Sequence, residues 1–365
     1  MATRTQLTPH DYTVAWLCAL PKTELTAATR MLEIRHAPLQ LSVDDDDNSY
    51  TYGSINAHNV VIACLPPGQP GKISSQRLIR PLKRSFPHLM LHLFVGIGGG
   101  VPRNSEIEDP DHDVRLGDVV VGWPEKTGDP AVVQWDYVRS FGDSNVESLG
   151  YLDKPHRRLL NALGSMLRDH EIGECDFGRH MQRLSSLPSF AHPGIDKDNL
   201  YEAGYKHISG SLDSKQCTSC ESRHLINRKQ RTSEGLVFHQ GTILSGDSVM
   251  QDAIMRDQIS HRFHDASCFE MEAAGVMDEK NCLIIRGIAD YADSHKNSVW
   301  QPYAAGAASA FARELLFNIQ AQRLESDARS HSKNLPIVKT LEDQGSSIVQ
   351  RSMPNTVASS ELTCQ

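Results

Sequence analysis

Between residues 13 and 286, apolar runs of strand length alternate with longer segments whose apolar residues recur every three or four positions. A central, largely buried sheet with helices on its faces requires this alternation: buried strands read as short continuous apolar runs, and surface helices as apolar stripes. Strand-like runs cover 13–19, 50–55, 60–65, 91–96, 118–122, 242–245 and 282–286, and helical periodicity covers 24–34, 74–85, 156–170, 271–280 and 302–323. The expected class is α/β. Asp44 to Asp47, with Asn48, read as an exposed turn into the second strand.

Two stretches depart from that rhythm. Residues 173–235 are polar and rich in His, Lys, Ser and Arg, which predicts an insertion folding over the sheet. Beyond Arg323 the chain has no core-sized apolar face, so 324–365 is expected to be a disordered tail. The expected layout is an N-terminal extension (1–11), one domain (12–323, including the insertion) and the tail.

Charge narrows the partners. Lys and Arg number 37 against 45 Asp and Glu, a net charge of −8, and such a field repels phosphate polymers and anionic membranes. Nucleic acid and membrane are therefore not expected partners. The longest apolar run, Val14 to Leu20, is far short of the roughly 20 residues of a spanning helix. With Asp11 just before it and only Arg4 upstream, it reads as a buried first strand rather than an export signal. The 8 cysteines are scattered, several within apolar runs, which fits a reduced, cytoplasmic setting better than a disulfide framework.

Three strings carry chemistry. Val95 to Pro102 contains Gly96, Gly98, Gly99 and Gly100 directly after a strand, where bare backbone can approach a ligand and successive N–H groups can form a concavity. It equally fits a tight turn without a ligand, and it is not a dinucleotide-binding fingerprint, since Pro102 and a polar loop follow. Phe269-Glu270-Met271-Glu272 places two carboxylates beside an apolar stretch, as a site or as a solvated helix start. In Ile284 to Asp293 a charged segment follows a buried strand, at the strand end where open α/β sheets hold ligands. Asp290 there is an acid or base candidate, or a helix cap.

Taken together and in this order, the strings resemble the nucleoside phosphorylase superfamily, specifically its nucleosidase branch. Bacterial methylthioadenosine/adenosylhomocysteine nucleosidases show a similar succession, here Gly96 to Gly100, Ser245-Gly246-Asp247, Met271-Glu272-Ala273 and Arg286-Gly287-Ile288-Ala289-Asp290. Ala19-Leu20-Pro21, Asp118 to Val121, Cys217-x-x-Cys220 and Asp290 to Lys296 match a fungal subgroup, which occurs alone or fused to receptor-like and repeat domains. The resemblance covers about residues 12–320. It implies a three-layer fold with a central mixed, partly barrel-like β-sheet flanked by helices. It also implies a purine nucleosidase that hydrolyses adenosine, inosine or guanosine to base and ribose without cofactor or metal. A homodimer is expected.

The resemblance also distributes roles. Cleavage of the glycosidic C–N bond passes through a ribosyl cation, so the departing base needs a proton, the sugar a grip and water a position. Asp290 matches the general acid at N7, and Glu272 the carboxylate bridging the 2′ and 3′ hydroxyls, with Met271 against the sugar. Glu24, oriented by Arg286, is the nearest match to the water-activating glutamate, although Thr23 occupies the matching register. Val249 and Met250 align with base contacts, while Asp247 is as readily structural. Ile97, Gly98, Gly99 and Phe269 complete the expected contacts.

Hydrolysis is expected rather than phosphorolysis. Where hexameric phosphorylases carry an Arg and a Ser to bind phosphate, this chain has Phe94 and Ile97, leaving only Arg80 or Arg103 to enter from elsewhere. Two features stay open. Cys217 and Cys220, with His207 and His224, give a partial zinc signal lacking a second Cys pair. Arg223, Arg228, Lys229 and Arg231 form either a solvated face or a clamp on 5′-phosphates, which would make the substrate a nucleotide such as ATP. A non-catalytic nucleoside or nucleotide sensor is the rival from another class.

Overall fold

The structure is a computed structural model; it describes residues 7–41, 45–103, 110–123, 126, 128–140, 146–148, 152, 154–208, 217, 219–231, 235–277, 282–321, 324 and 326. The strands in chain order are β1 (Val14–Cys18), β2 (Ile34–Arg35), β3 (Tyr50–Ile55), β4 (His58–Cys64), β5 (Leu91–Gly100), β6 (Val119–Gly122) and β7 (Val132–Gln134). They continue with β8 (Val138–Ser140), β9 (Val146–Ser148), β10 (Phe238–Gly241), β11 (Ile243–Ser245), β12 (Cys268–Glu270) and β13 (Leu283–Asp290). The helices are α1 (Thr26–Met31), α2 (Lys72–Ser85), α3 (Arg157–Glu171), α4 (Phe177–Met181), α5 (Ala253–Arg262), α6 (Ala273–Met277) and α7 (Gln301–Phe317).

Among the described residues, 11 strands form one mixed sheet ordered β10-β6-β13-β5-β1-β4-β3-β2. β1, β4, β5 and β13 run parallel at its centre, while β3 and β6 join antiparallel. The ten-residue β5 belongs to two sheet segments. Its first part lies between β1 and β13, and its glycine-rich end pairs antiparallel with β12, which leads through β11 to β7. This branching curls one end of the sheet into the expected barrel-like corner.

The period of two in β1 divides its side chains between two cores. Val14, Trp16 and Cys18 join α1, α3, α4 and α7 on one face; Ala15 and Leu17 join α2 and α6 on the other. A third, smaller core lies between α5 and the β7–β11–β12 corner. At about 25 cal/mol per Å² of apolar area removed from water, this two-sided burial is the main source of stability.

Several expectations need correction. The glycine-rich string is not a turn: Gly96 to Gly100 is the second half of β5. The helix expected over 24–34 is a π-helical turn (Pro21–Leu25) followed by the short α1, and Ile34–Arg35 is an exposed edge strand. The helix expected from Met271 starts at Ala273, with Phe269 and Glu270 in β12. Within 173–235, read as an insertion folding over the sheet, Phe177, Leu184 and Phe190 pack into the main core, in keeping with that reading's contact with the sheet. Most of 324–365 lies outside the described residues.

Candidate active site

β1, β5 and β13 run parallel, so their carboxyl ends open on one side, and a cleft of about 250 Å³ sits there. Its lining includes Glu24, Ile97, Gly98, Gly99, Val249, Met250, Phe269, Met271, Glu272 and Asp290. Nearly all residues selected from the sequence thus meet in one place, although they come from five separate parts of the chain.

The strand end of β13 delivers Asp290, 4% exposed. Its Oδ1 accepts from the Ala292 N–H at 2.9 Å, and Lys296 Nζ lies 2.8 Å from Oδ2. Burial raises its pKa above the ordinary carboxyl value, against the opposing pull of Lys296. Gly99 makes room for it, since a Cβ at that position would stand 2.9 Å from Asp290 Oδ1.

Glu272 sits between β12 and α6, with Oε1 accepting from the Gly71 N–H at 3.3 Å and Oε2 3.9 Å from Arg286 Nη2. Burial, and then the neighbouring Glu270 charge, push its pKa up to about 7, with Arg286 opposing. Glu24 is held by three backbone donors: the N–H groups of Ala19 (2.6 Å) and Leu20 (3.0 Å) bond Oε2, and that of Ile97 (2.8 Å) bonds Oε1. Its pKa is also raised by burial, which Arg286 and these donors only partly offset.

The register conflict between Thr23 and Glu24 has a local cause. Leu25 N–H bonds the Leu20 carbonyl across five residues, and this π-turn accommodates one extra residue before the helix begins. Glu24 therefore faces the cleft, and Thr23 does not line it.

Arg286 does not line the cleft either. It is buried beneath β5, with Nη2 2.6 Å from Glu270 Oε2 and its guanidinium 4.4 Å from the centre of the Phe94 ring. Gly96 leaves room for both Arg286 and Glu24: a Cβ there would stand 2.5 Å from Glu24 Oε1 and 2.7 Å from Arg286 Nη1. We expect Gly96→Ala to displace Glu24 and lower kcat at least tenfold with little change in cooperative unfolding; steady-state kinetics beside thermal melting checks this.

Sequence reasoning undervalued Glu270. It lies buried at the end of β12, pairs with Arg286, and accepts from the backbone N–H groups of Glu272 and Ala273, capping α6. Removing it strands a buried guanidinium. Glu270→Ala is expected to cost about 3–5 kcal/mol of stability, measured by urea unfolding. Lys296, Pro70, Ser248 and Gln301 also line the cleft. Lys296 was visible in the Asp290 to Lys296 string without a role; the other three gave no signal.

Asp247 is outside the cleft lining. Its carboxylate lies 3.1 Å from Lys72 Nζ and is half exposed. Arg103 lines two other cavities, and Arg80 is exposed on α2, so neither enters the cleft. The basic cluster divides: Arg223 and Lys229 are exposed, as a solvated face would have them, while Arg228 and Arg231 are spent on carboxylates, and none of the four lines the cleft. Arg228 pairs with Asp198 (2.7 Å) and Asp113 (3.3 Å), and Arg231 with Asp118 (2.5 Å), all largely buried. These arginines fasten their own segment to the domain. No helix among the described residues is long and apolar enough to cross a membrane.

The site can do acid–base work: three buried carboxyls with raised pKa values, Asp290, Glu272 and Glu24, line one mostly apolar cleft. Fold and cleft together define an α/β protein with an acid-lined cleft at the carboxyl ends of its central strands. The chain aligns with the structure of the methylthioadenosine/S-adenosylhomocysteine nucleosidase of Neisseria meningitidis bound to methylthio-immucillin-A. That alignment gives a TM-score of 0.50 at 16% identity, over 84% of this chain and 99% of that one. The corresponding protein of Francisella philomiragia gives 0.50 at 18% identity, over 84% and 99%. The chain therefore shares the fold of these nucleosidase structures.

In sequence, the chain is 38% identical over 324 residues to a nucleotide-binding leucine-rich repeat (NLR)-like protein of Hyaloscypha variabilis, covering 88% of this chain and 31% of that protein. It is 35% identical over 88 residues to the ATP nucleosidase Cap17 of Escherichia coli, covering 22% and 17%. The chain thus spans about a third or less of these curated relatives. No family model matches.

Proposed function

We propose that the protein is a purine nucleosidase that transfers the ribosyl group of adenosine, inosine or guanosine to water. The observation that carries this reading is the shared cleft: Asp290 and Glu272 line it together with Glu24, Phe269 and Met250. The purine lies against Phe269, Val249, Met250 and Ile97. Asp290, its pKa raised by burial against the pull of Lys296, gives its proton to the leaving base. Glu272 grips the 2′ and 3′ hydroxyls, and its charge gains most as the ribosyl cation develops. Glu24, with its raised pKa, accepts a proton from the attacking water, while the Ala19, Leu20 and Ile97 N–H groups fix its position and the nearby Arg286 charge opposes the rise.

Water as acceptor is supported by the cleft lining: among the described residues no arginine lines it, Phe94 packs on Arg286, and Arg103 lines other cavities. A second reading, cleavage of ATP-type nucleotides, is favoured by the relative named an ATP nucleosidase. Against it, the one cationic side chain among the described cleft residues, Lys296, is paired with Asp290. Incubation with adenosine and separately with ATP, with and without phosphate, distinguishes these by chromatography. Free adenine and ribose from adenosine are expected. Adenine from ATP alone would overturn the nucleoside reading, and ribose 1-phosphate would overturn hydrolysis.

The pH dependence follows from the same carboxyls. Above the raised pKa of Asp290 the acid is deprotonated and kcat/KM falls. Below about 7 Glu272 gains a proton and loses its hold on the cation, so kcat/KM falls on that side too. The expected profile is a bell whose limbs belong to the carboxyl cluster rather than to single residues. A rate still climbing on the alkaline side would remove Asp290 from the acid role.

A further inference from the structure

The cleft leaves one chemical motif unused. Cys217 and Cys220 bring their sulfurs 3.6 and 3.2 Å from His207 Nδ1, and all three donor atoms lie within 4.8 Å of one another. Bond lengths of about 2.3 Å to sulfur and about 2.0 Å to nitrogen in a tetrahedral zinc site imply ligand–ligand edges of roughly 3.5–3.8 Å. The side chains are therefore already close to the edge lengths of such a site. His224, the other histidine near the motif in sequence, is engaged elsewhere: it stacks on Tyr205 and faces Glu202 at 2.9 Å.

The surroundings tie the cluster to the cleft. The His207 N–H bonds Ser294 Oγ at 3.0 Å, and Cys217 Sγ lies 3.9 Å from the His295 carbonyl oxygen. Ser294 and His295 belong to the loop that ends in Lys296, the partner of Asp290. His295 is 7% exposed, its ring centre lies 5.6 Å from that of His207, and its Nε2 has no hydrogen-bond partner. Its Nδ1 faces the Asp293 carboxylate at 3.8 Å. A cavity of about 210 Å³, lined by Cys217, Asp293 and His295, also includes Asp290 in its walls.

We propose that His207, Cys217 and Cys220 bind one zinc-class divalent cation, with water as the fourth ligand, and that the cation fixes this segment to the Asp290–Lys296 loop through the His207–Ser294 and Cys217–His295 contacts. The cation takes no part in bond cleavage. It restricts the loop from outside, as structural zinc sites do when they link segments far apart in sequence. The inference does not depend on the substrate, so it can fail while the nucleosidase reading stands.

The test uses the full chain purified under reducing conditions without chelator. Elemental analysis should find one equivalent of zinc, and exchange into cobalt(II) should give thiolate-to-metal charge-transfer absorption. Cys217→Ser and Cys220→Ser should lose both signals, whereas Cys175→Ser, at a thiol bonded to the Met166 carbonyl, should keep them. If the first two variants fail to fold, a strong chelator applied to the wild type, with amide hydrogen exchange read over residues 291–296, takes their place. Exchange there should accelerate at least tenfold when the metal leaves. A metal-free wild type that takes up no cobalt, a Cys217–Cys220 disulfide in its place, or metal retained in both serine variants, and so an adventitious ion only, would overturn the site. Unchanged exchange in the loop would overturn the staple.

Discussion

Asp290→Asn should reduce turnover of a purine nucleoside by about 10²- to 10⁴-fold, the usual contribution of a positioned general acid, while leaving ligand affinity within a few-fold of the wild type. Asn matches Asp in shape and can still accept from the Ala292 N–H, so the end of β13 should keep its geometry. What disappears is a proton that can be given away. The purine leaves poorly as an anion, and without protonation the C–N bond must break against that full charge. Steady-state kinetics together with isothermal titration of a non-hydrolysable nucleoside analogue separates the two effects. A variant that keeps wild-type kcat would show that the proton comes from elsewhere, and a variant that loses binding as well would place Asp290 in recognition rather than acid catalysis.

Glu272→Gln should lower kcat by about 10²- to 10³-fold, because a charge aimed at the developing ribosyl cation is worth more in the transition state than in the ground state. The amide can still accept from the Gly71 N–H, and Arg286 retains Glu270 as its closer partner, so the fold should survive. The diagnostic readout is sugar discrimination. The wild type should cleave a ribonucleoside far faster than its 2′-deoxy counterpart, and Gln should shrink that ratio by removing the charged acceptor for the hydroxyls. If the ratio is unchanged while kcat falls, Glu272 acts on the charge alone and does not grip the sugar.

Much of the site was legible because its signals are local. Asp290 stands at the end of an apolar run, and Glu272 two residues past the end of another, and the carboxyl ends of parallel strands converge on one side of a sheet. The glycine-rich string was correctly located and wrongly shaped. Its glycines do not make a turn; they thin the middle of a strand so that Glu24, Arg286 and Asp290 can pack against it. The missing strands were short or polar: Phe238-His239-Gln240-Gly241 carries no apolar run, and its pairing with Val119 to Gly122 supplies what its composition lacks.

Other readings failed because charge has no address in one dimension. Arg228 and Arg231 look like a basic patch along the chain, yet Asp113, Asp118 and Asp198 reach them from distant segments and neutralise both. Glu270 looked like a solvated helix start until Arg286 was found 2.6 Å away. The sequence by itself determined the α/β class, the strand ends that carry the acids and most of the residues that meet in the cleft, since hydrophobic period and local spacing encode these. Only the tertiary structure decided that a π-turn aims Glu24 rather than Thr23 at the cleft, that Arg286 lies beneath it, and that the carboxyls there titrate above their ordinary values. Burial and ion pairing are properties of what surrounds a side chain, and those surroundings are assembled from residues far apart along the chain.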